Sequence, residues 1–408
     1  MGISQVTNKL EQPKLDSKPK IGLLIIGIIL IGANLRAPLT SVGPLIASIR
    51  DSLEMSNILA GTITTVPLLT FALLSPLAPK LAQHFSMEFA LFISLFSLTI
   101  GMAIRSFGGV ETLFIGTILI GASIAIGNVL LPSFIKHNFA QNIGLVTGIY
   151  AVSMNLFGAL GSGISIPLSS ISGLGWSGAL GCWGILSLLT IFLWLPQLRN
   201  KHKAVKFGQM EKKVTSINLW RSKLAWNVTL FMGFQSSIFY TVITWLPEIL
   251  EQKGVNTHEA GWMLSLMQLS MLPVMFIVSI LAGRLKTQKL LVGVSVVLLI
   301  IGLFGVLYGG TLLISLWIIM IGTGVGFAFS LAMMFFSLRT QNTNEAAELS
   351  GMAQSLGYLL AAAGPILFGW LHDITHDWTT PLLMLVLTSV IIFITGINAG
   401  KKEYVIPK

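Results

Sequence analysis

The sequence of 408 residues has few charged side chains and only one cysteine. Charged residues make up 10% of the chain, against roughly 25% in soluble domains, whereas hydrophobic residues make up 54% and mean hydropathy is +0.83. These values exclude a soluble globular protein. The single cysteine, Cys182, lies in an apolar segment, so an intramolecular disulfide and a cysteine metal site are excluded as well.

A cleavable signal peptide is not expected. The polar start, 1–20, is too long and too charged for the first part of a signal, and the apolar run after it is too long for the second. Apolar stretches of about 20 residues recur from Ile21 to Gly400, and each can cross a hydrocarbon core about 30 Å thick as a helix. Strand-like alternation is lacking, so a barrel is excluded.

The predicted fold class is an all-α integral membrane protein with twelve transmembrane helices. The twelve predicted spans lie at about 21–47, 58–83, 89–106, 112–135, 143–169, 176–195, 224–249, 258–283, 288–308, 311–337, 346–371 and 379–399.

Basic residues indicate the orientation of these spans. Twenty-one lysines and arginines fall on the side of the termini, and only Arg50, Arg105 and Lys253 fall on the other, while Arg36 lies within the first span. Since cytoplasmic loops carry the excess of basic residues, both termini and the central loop are predicted to be cytoplasmic in a multi-pass plasma-membrane protein. The net charge of +10 therefore reflects topology, and no nucleic-acid partner is expected.

The central loop also suggests how the chain is divided. Its polar composition predicts a cytoplasmic linker at 196–221, between an N-terminal six-helix half at 21–195 and a C-terminal six-helix half at 222–400. The remaining segments are predicted to be cytoplasmic tails, at 1–20 and 401–408.

The two halves resemble each other in sequence. "LAPKL" (77–81) matches "LAGRL" (281–285) at a separation of 204, and Gly148 matches Gly351 at a separation of 203. A near-constant separation across an even number of spans indicates a parallel repeat, the plan of major facilitator transporters. In that plan a central cavity between the halves opens alternately to each side.

The spans offer little for catalysis. All fifteen acidic residues and all six histidines lie in loops or at span ends, so no span interior contains a carboxylate pair or a set of metal ligands. A membrane-embedded enzyme needs its acid, base or metal within the protein core. We therefore expect no enzymatic activity, no catalytic residue, no metal and no cofactor.

Arg36 is the one formal charge well inside a span. An arginine at the helix centre costs about 2.5–3.5 kcal/mol on insertion scales, so such residues normally face a polar cavity and mark a pathway. Pro38 follows and bends the helix, while Thr40 lies one turn further along the same face. Arg36 either contacts an anionic substrate together with Thr40 or ties helices together through backbone carbonyls.

Other polar residues inside spans form a second group of candidates. Each serves either as a substrate contact or as an interhelical hydrogen bond, and their concentration in five spans favours a cavity. The predicted substrate-binding residues beyond Arg36 and Thr40 are Asn128, Tyr150, Asn155, Gln235, Tyr240, Trp245, Gln354 and Tyr358.

Five long motifs resemble one known family. They are "NLRAPLTSVGPL" (34–45), "IGNVLLPSFIK" (126–136), "TGIYAVSMNLFGALGSGISIPL" (147–168), "MGFQSSIFYTVITWLPEIL" (232–250) and "LSGMAQSLGYLLAAAGPILFGWLHD" (349–373). In this order they resemble the cyanate permease (CynX/NimT) family of major facilitator transporters. The resemblance implies transport of small polar or anionic solutes such as cyanate, or export of compounds such as 2-nitroimidazole.

One motif departs from the superfamily pattern. The loop after the second span normally carries an aspartate followed by a basic residue, but Pro79 occupies the aspartate position here. The usual charge-relay gate at that loop is therefore not implied.

The expected function is secondary transport of a small anionic or polar solute by alternating access, because a lone cation attracts negative charge into a low-dielectric cavity. The alternative is an exporter of neutral aromatic or nitroaromatic compounds, which would stack on the rings of Tyr150, Phe239, Tyr240, Trp245 and Tyr358. A membrane sensor is the third reading, with no sequence feature in its favour. The expected partners are the substrate, the lipid bilayer and a proton as candidate coupling ion, and a monomer is expected.

Overall fold

The computed structural model describes residues 18–55, 57–171, 173–199 and 219–405. Within these ranges the chain forms α-helices and short 3-10 helices and no β-strand. The α-helices are α1 (Lys18–Asn34), α2 (Ala37–Thr40), α3 (Ile46–Ser52), α4 (Asn57–Leu74), α5 (Leu77–Phe85), α6 (Met87–Arg105), α7 (Val110–Asn138), α8 (Ile143–Ser169), α9 (Gly175–Gly181), α10 (Trp183–Arg199), α11 (Lys223–Gln252), α12 (Thr257–Arg284), α13 (Lys289–Tyr308), α14 (Ile314–Leu338), α15 (Thr343–Thr375) and α16 (Thr379–Ala399). The 3-10 helices are Gly43–Leu45, Ala140–Asn142, Leu219–Arg221 and Thr311–Leu313.

Twelve segments can cross a membrane, as predicted. Eleven helical stretches of the described chain are long and apolar enough by themselves. The twelfth is a pair of helical pieces, Thr62–Leu74 and Leu77–Phe85, which meet at an angle of 57° and together are long and apolar enough for one broken span. The sequence predicted this segment as a single span without the bend.

The first span is interrupted at the predicted proline-rich stretch. Helix α1 ends at Asn34, and α2 begins at Ala37 with Pro38 in its first turn, where a missing backbone N–H costs little. Arg36 stands between the two helices with φ −125° and ψ −45°, outside regular helical geometry. The break turns the backbone at the one position where a charge lies deep in a span.

The helices pack as two groups. Helices α1 to α10 form the first half, in which α6 packs against α7 and α1 against α8. Helices α11 to α16 form the second half, in which α11 packs against α15 and α12 against α14. The halves meet where α8 contacts α12 and where α4 and α7 contact α15.

The two faces of the bundle can be told apart by chain order. We call the face that carries the first and last described residues the terminal face, and the other the opposite face. Because successive spans alternate in direction, α5, the end of α7 and the start of α15 lie at the terminal face. The ends of α6, α11 and α15 lie at the opposite face.

The predicted tails and linker fall partly outside the described residues. Residues 1–17, 200–218 and 406–408 belong to these segments and are not described. Of the predicted linker 196–221, the first four residues belong to α10 and the last three form a 3-10 helix. The division of the chain at these boundaries stays a prediction.

Candidate functional site

A cavity of about 630 Å³ lies between the two halves. Its size is typical of pockets that bind small molecules. Both halves contribute polar or aromatic side chains to its wall: Arg36, Thr40, Thr64, Phe71, Arg105, Thr117, Asn155 and Ser162 from the first, and Phe239, Tyr240, Thr244, Ser265 and Gln268 from the second. Most of the remaining wall is aliphatic, from Leu39, Val42, Ile63, Leu68, Ile243, Leu264 and Ile366.

The cavity extends toward the opposite face and is closed toward the terminal face. Three layers of hydrogen bonds between the halves close it. Ser355 Oγ donates to Ala72 O at 2.5 Å, Gln354 Nε2 donates to Asn128 O at 2.9 Å, and Lys136 Nζ donates to Ser337 O at 2.9 Å. The cavity is therefore open toward one face of the bundle and closed toward the other.

A second cleft between the halves lies at the terminal face. It has a volume of about 450 Å³ and is lined by Lys80, Gln83, Trp220 and Glu348, among others. Gln83 Nε2 donates to Glu348 Oε1 at 3.3 Å, so a polar contact joins the halves here as well. Because the closing layers separate the two spaces, this cleft is not continuous with the cavity around Arg36.

Arg36 projects from the break in the first span to aromatic rings of the second half. Its Nη1 lies 3.5 Å from Tyr240 Oη, and its Cζ lies 5.0 Å from the centre of the Phe239 ring and 5.9 Å from that of Tyr240. These distances fit cation–π contact. Residues 36 and 240 are separated by 204, the spacing of the sequence repeat, so the contact lies near the axis that relates the halves.

The broken span is fastened to its own half. Thr40 Oγ1 donates to Gly158 O at 2.7 Å, and Ser162 Oγ donates to Thr40 O at 3.2 Å. A Cβ atom at Gly158 would lie 2.6 Å from Arg36 Cγ, so only glycine leaves room for the arginine stem. The backbone around Arg36 is therefore bound to the first half, whereas its aromatic neighbours belong to the second.

Arg105 is a second guanidinium in the cavity wall, a role that is not predicted from the sequence. The sequence indicates only that Arg105 is one of three basic residues on the side away from the termini. The side chain is 1% exposed, and its Nη1 donates to Pro38 O at 2.9 Å. A basic residue at the end of an apolar run can equally well be a solvent-exposed charge in an external loop. A single sequence therefore contains no signal that distinguishes an exposed loop arginine from one in the cavity wall.

Six of the ten predicted binding residues lie around this space. Arg36, Thr40, Asn155 and Tyr240 line the cavity. Gln235 and Tyr358 line a small adjoining pocket, which also contains Arg36, Asn155 and Tyr240. The rings of Tyr358 and Phe71 lie 5.0 Å apart and bring the two halves together beside the cavity.

The other four predicted residues lie outside both linings in this conformation. Tyr150 Oη donates to Asn128 Oδ1 at 3.4 Å, and the Asn128 carbonyl accepts from Gln354, so these three buried residues form an interhelical layer. Trp245 Nε1 donates to Pro365 O at 2.9 Å, and its ring packs against Trp378. In this conformation the hydrogen-bond alternative describes these four.

The electrostatics of the cavity are one-sided. Two arginines line it, and neither the cavity nor the adjoining pocket has a described acidic residue in its lining. A positive charge in a cleft with largely apolar walls attracts anions, because low-dielectric walls focus the field of the charge. The arrangement can bind an anion or another group rich in hydrogen-bond acceptors, with aromatic rings beside it.

Comparison with known proteins agrees with this architecture. The sequence pattern of the Major Facilitator Superfamily matches residues 24–365. The solved structure of a proton:xylose symporter, XylE, superposes with a TM-score of 0.74 over 94% of this chain and 97% of that chain, at 13% sequence identity. At that identity the likeness shows the fold alone.

Three relatives are similar over most of their length. The chain is 49% identical to an uncharacterized transporter, YycB, of Bacillus subtilis over 94% of each protein. It is 39% identical to the 2-nitroimidazole transporter of Escherichia coli over 95% of this chain and 98% of the relative. It is 27% identical to the cyanate transport protein CynX of Escherichia coli, over 87% and 91% respectively.

The motifs, the twelve-span fold and these relatives lead to one conclusion. The chain is a multi-pass membrane transporter and not an enzyme, and it belongs to the cyanate permease (CynX/NimT) family of the Major Facilitator Superfamily.

Proposed function

We propose that the protein moves a small anionic or polar solute, cyanate-like or another weak acid, across the membrane by alternating access. The solute places its acceptor group on Arg36. The observation that carries this proposal is a guanidinium between the two halves, with no acidic group among the described residues of the cavity lining. A charge within a membrane protein normally marks the substrate pathway, and an anion is the partner that this cavity lacks.

The contact between Arg36 and Tyr240 supplies a route from binding to movement. Arg36 is held by the first half and Tyr240 by the second, and the N···O distance of 3.5 Å makes their hydrogen bond a weak one. An anion on Arg36 forms a stronger, charge-assisted bond and replaces this contact. Binding thereby changes an interaction between the halves, which the rocking motion requires.

A second candidate is export of small neutral aromatic or nitroaromatic compounds. The rings of Phe239 and Tyr240 beside Arg36 favour it, and one relative is named a 2-nitroimidazole transporter. A nitro group also has two oxygens that can accept hydrogen bonds from a guanidinium group. Of the aromatic residues considered for this role, Tyr150 and Trp245 lie away from the cavity, so the stacking surface reduces to Phe239, Tyr240 and Tyr358.

The experiment is transport by the purified protein in proteoliposomes, with labelled cyanate and 2-nitroimidazole as substrates. Arg36→Gln is expected to abolish uptake of the anion, and Arg36→Lys to restore little, because an ammonium lacks the planar fork. Arg50→Gln is the matched control, since Arg50 lies at the opposite face and pairs with Asp51 at 2.8 Å. Normal cyanate uptake by Arg36→Gln refutes the proposal. Movement of 2-nitroimidazole alone by the wild type selects the second candidate.

The residues that line the cavity also bear on how transport is coupled to an ion. The described cavity linings hold no carboxylate or histidine, which favours either facilitated exchange of the anion or a proton that travels with the weak acid itself. We propose a monomer in the plasma membrane that binds no nucleic acid. Accumulation driven by an imposed pH gradient distinguishes proton co-movement from exchange.

We also propose that the terminal face is cytoplasmic, so that the cavity extends toward the outside in this structure. The basic residues at that face support this orientation. In a Cys182→Ala background, cysteines introduced by Ser52→Cys and Asn256→Cys are expected to react with an impermeant thiol reagent added to intact cells. A cysteine introduced by Gln209→Cys, outside the described residues, is expected to react only in lysed cells. Reaction of the last in intact cells reverses the orientation.

A further inference from the structure

Arg105 has hydrogen-bonding capacity that the protein does not use. Its guanidinium carries five N–H groups, and Nη1 donates to Pro38 O. Nε and Nη2 are buried and have no partner within the described part of the chain. A buried charged donor without an acceptor is unfavourable, and structures normally supply one. An acceptor group on a bound solute would supply the missing hydrogen-bond partner for both nitrogens.

The position of Arg105 fits such a role. It lines the same cavity as Arg36, and it reaches the carbonyl of a residue only two positions beyond Arg36. Two residues span at most about 7.6 Å between Cα atoms, so both cations act on one short stretch of the broken span. The nearby Thr117 hydroxyl donates to Leu113 O at 2.7 Å, so its hydrogen is not free for the solute.

The size of the cavity points the same way. A volume of about 630 Å³ far exceeds what a triatomic anion fills, and the aromatic rings of Phe239 and Tyr240 stand beside Arg36. A planar solute with an acceptor group at each end uses this space better than a single small ion. One end then meets Arg36 and the other meets Arg105.

We propose that Arg105 is a second acceptor-binding position, so that the cavity takes a small, flat solute with acceptor groups at both ends. This inference rests on the proposed function at Arg36. Nε and Nη2 are covered in the present conformation, so the position forms as the cavity wall adjusts around the solute. The chemical class is an aromatic acid that carries a second carboxylate, nitro or similar group.

Binding of two probes to the purified protein tests this inference. Benzoate offers one carboxylate, and terephthalate offers one at each end of the same ring. We expect the wild type to bind terephthalate at least about tenfold more tightly than benzoate, because charge-assisted hydrogen bonds are strong. Arg105→Gln is expected to remove this preference, so that terephthalate affinity falls about tenfold more than benzoate affinity.

Arg105→Lys separates binding from a purely structural role. An ammonium can still donate to Pro38 O and hold the broken span, but it lacks the fork that serves the solute as well. We expect this variant to keep the thermal stability of the wild type and to lose the preference for terephthalate. Arg50→Gln, on the same face, is expected to change neither.

The outcomes separate this inference from the proposed function. A wild type that binds neither probe overturns anion binding altogether, and the second position with it. A wild type that binds both probes equally overturns the second position alone, without need of any variant. Two results with the variants also overturn the second position. One is equal weakening of both probes in Arg105→Gln, and the other is a preference for terephthalate that survives in both Arg105→Lys and Arg105→Gln. Either result means that Arg105 only supports the broken span.

Discussion

Lys136 holds the two halves together at the terminal face, and its removal is expected to open that face. Its Nζ, at the end of α7, lies 2.9 Å from Ser337 O, 2.5 Å from Thr340 O and 2.6 Å from Thr340 Oγ1. Ser337 Oγ in turn donates to Pro132 O at 3.3 Å. The separations between these residues, 201 to 205, are close to the repeat spacing of 203 to 204, so the cluster lies near the axis between the halves.

Lys136→Met keeps the length of the side chain and removes all three donated hydrogen bonds. A hydrogen bond to a charged group contributes about 1.5–3 kcal/mol. Water replaces part of this when the face opens, so the three together favour the closed state by about 2–3 kcal/mol rather than by their sum. At 1.4 kcal/mol for each factor of ten, the ratio of closed to open molecules is expected to fall about 30- to 150-fold.

Thiol labelling in a Cys182→Ala background measures this shift. Thr244 lines the cavity, and Met352 lines the cleft at the terminal face. Lys136→Met is expected to slow labelling of a cysteine at 244 and to speed labelling at 352. Lys286→Met, in an exposed turn of the same face, serves as the control. Unchanged labelling rates at both positions would refute the proposal that Lys136 holds the terminal face closed.

Two further substitutions test the surroundings of Arg36. Gly158→Ala is expected to displace the arginine stem and raise KM about tenfold or more with normal expression, because its Cβ would lie 2.6 Å from Arg36 Cγ. Gly163→Ala in the same helix has open space around its Cβ and is expected to behave as wild type. Tyr240→Phe removes the 3.5 Å contact with Arg36 but keeps the aromatic ring. Solute affinity in a binding titration is therefore expected to change by about tenfold at most. Tyr308→Phe, at an exposed tyrosine, is the control and is expected to leave the affinity unchanged. Equal KM values for both glycine variants, or loss of binding in Tyr240→Phe, contradict this view of the site.

The number of spans could be predicted from the sequence because a bilayer imposes one strict requirement. Every span needs enough apolar residues in helical form, and hydropathy measures that directly. The 57° bend between Leu74 and Leu77 was not predictable in the same way. Hydropathy reports how much apolar length a segment has, and the path of that segment depends on the helices against which it packs.

Arg36 and Arg105 show where sequence reasoning reaches its limit at the site. Arg36 was identifiable because a charge in the middle of an apolar run has few favourable surroundings. Arg105 ends a span, where a basic side chain can either reach water or turn inward. The choice depends on the carbonyl of Pro38, which is 67 residues away in the chain and becomes available only because the first span is broken.

The polar residues inside the spans illustrate a second limit. Asn155 and Gln354 have similar side chains in similar apolar surroundings, yet one lines the cavity and the other bonds to the Asn128 carbonyl 226 residues away. Their roles are set by which face of each helix meets the other half. The face that each helix presents depends on how the two repeats pack against each other. The local sequence pattern of either repeat alone does not contain this information.

The distribution of charge between the halves bears on how transport is driven. The described residues of the cavity wall include two cations, both attached to the first half around its broken span, and the second half offers aromatic rings and a tyrosine hydroxyl. Under the proposed function, we expect an anion that enters to bind first to one half and to improve its contact with the other only when the halves close around it. A ligand shifts a conformational equilibrium only through such a difference in affinity between states. Without solute, the positive charge between the halves stays uncompensated, so we expect the empty cavity to close less readily than the loaded one. A carrier with this property exchanges one solute for another more readily than it returns empty.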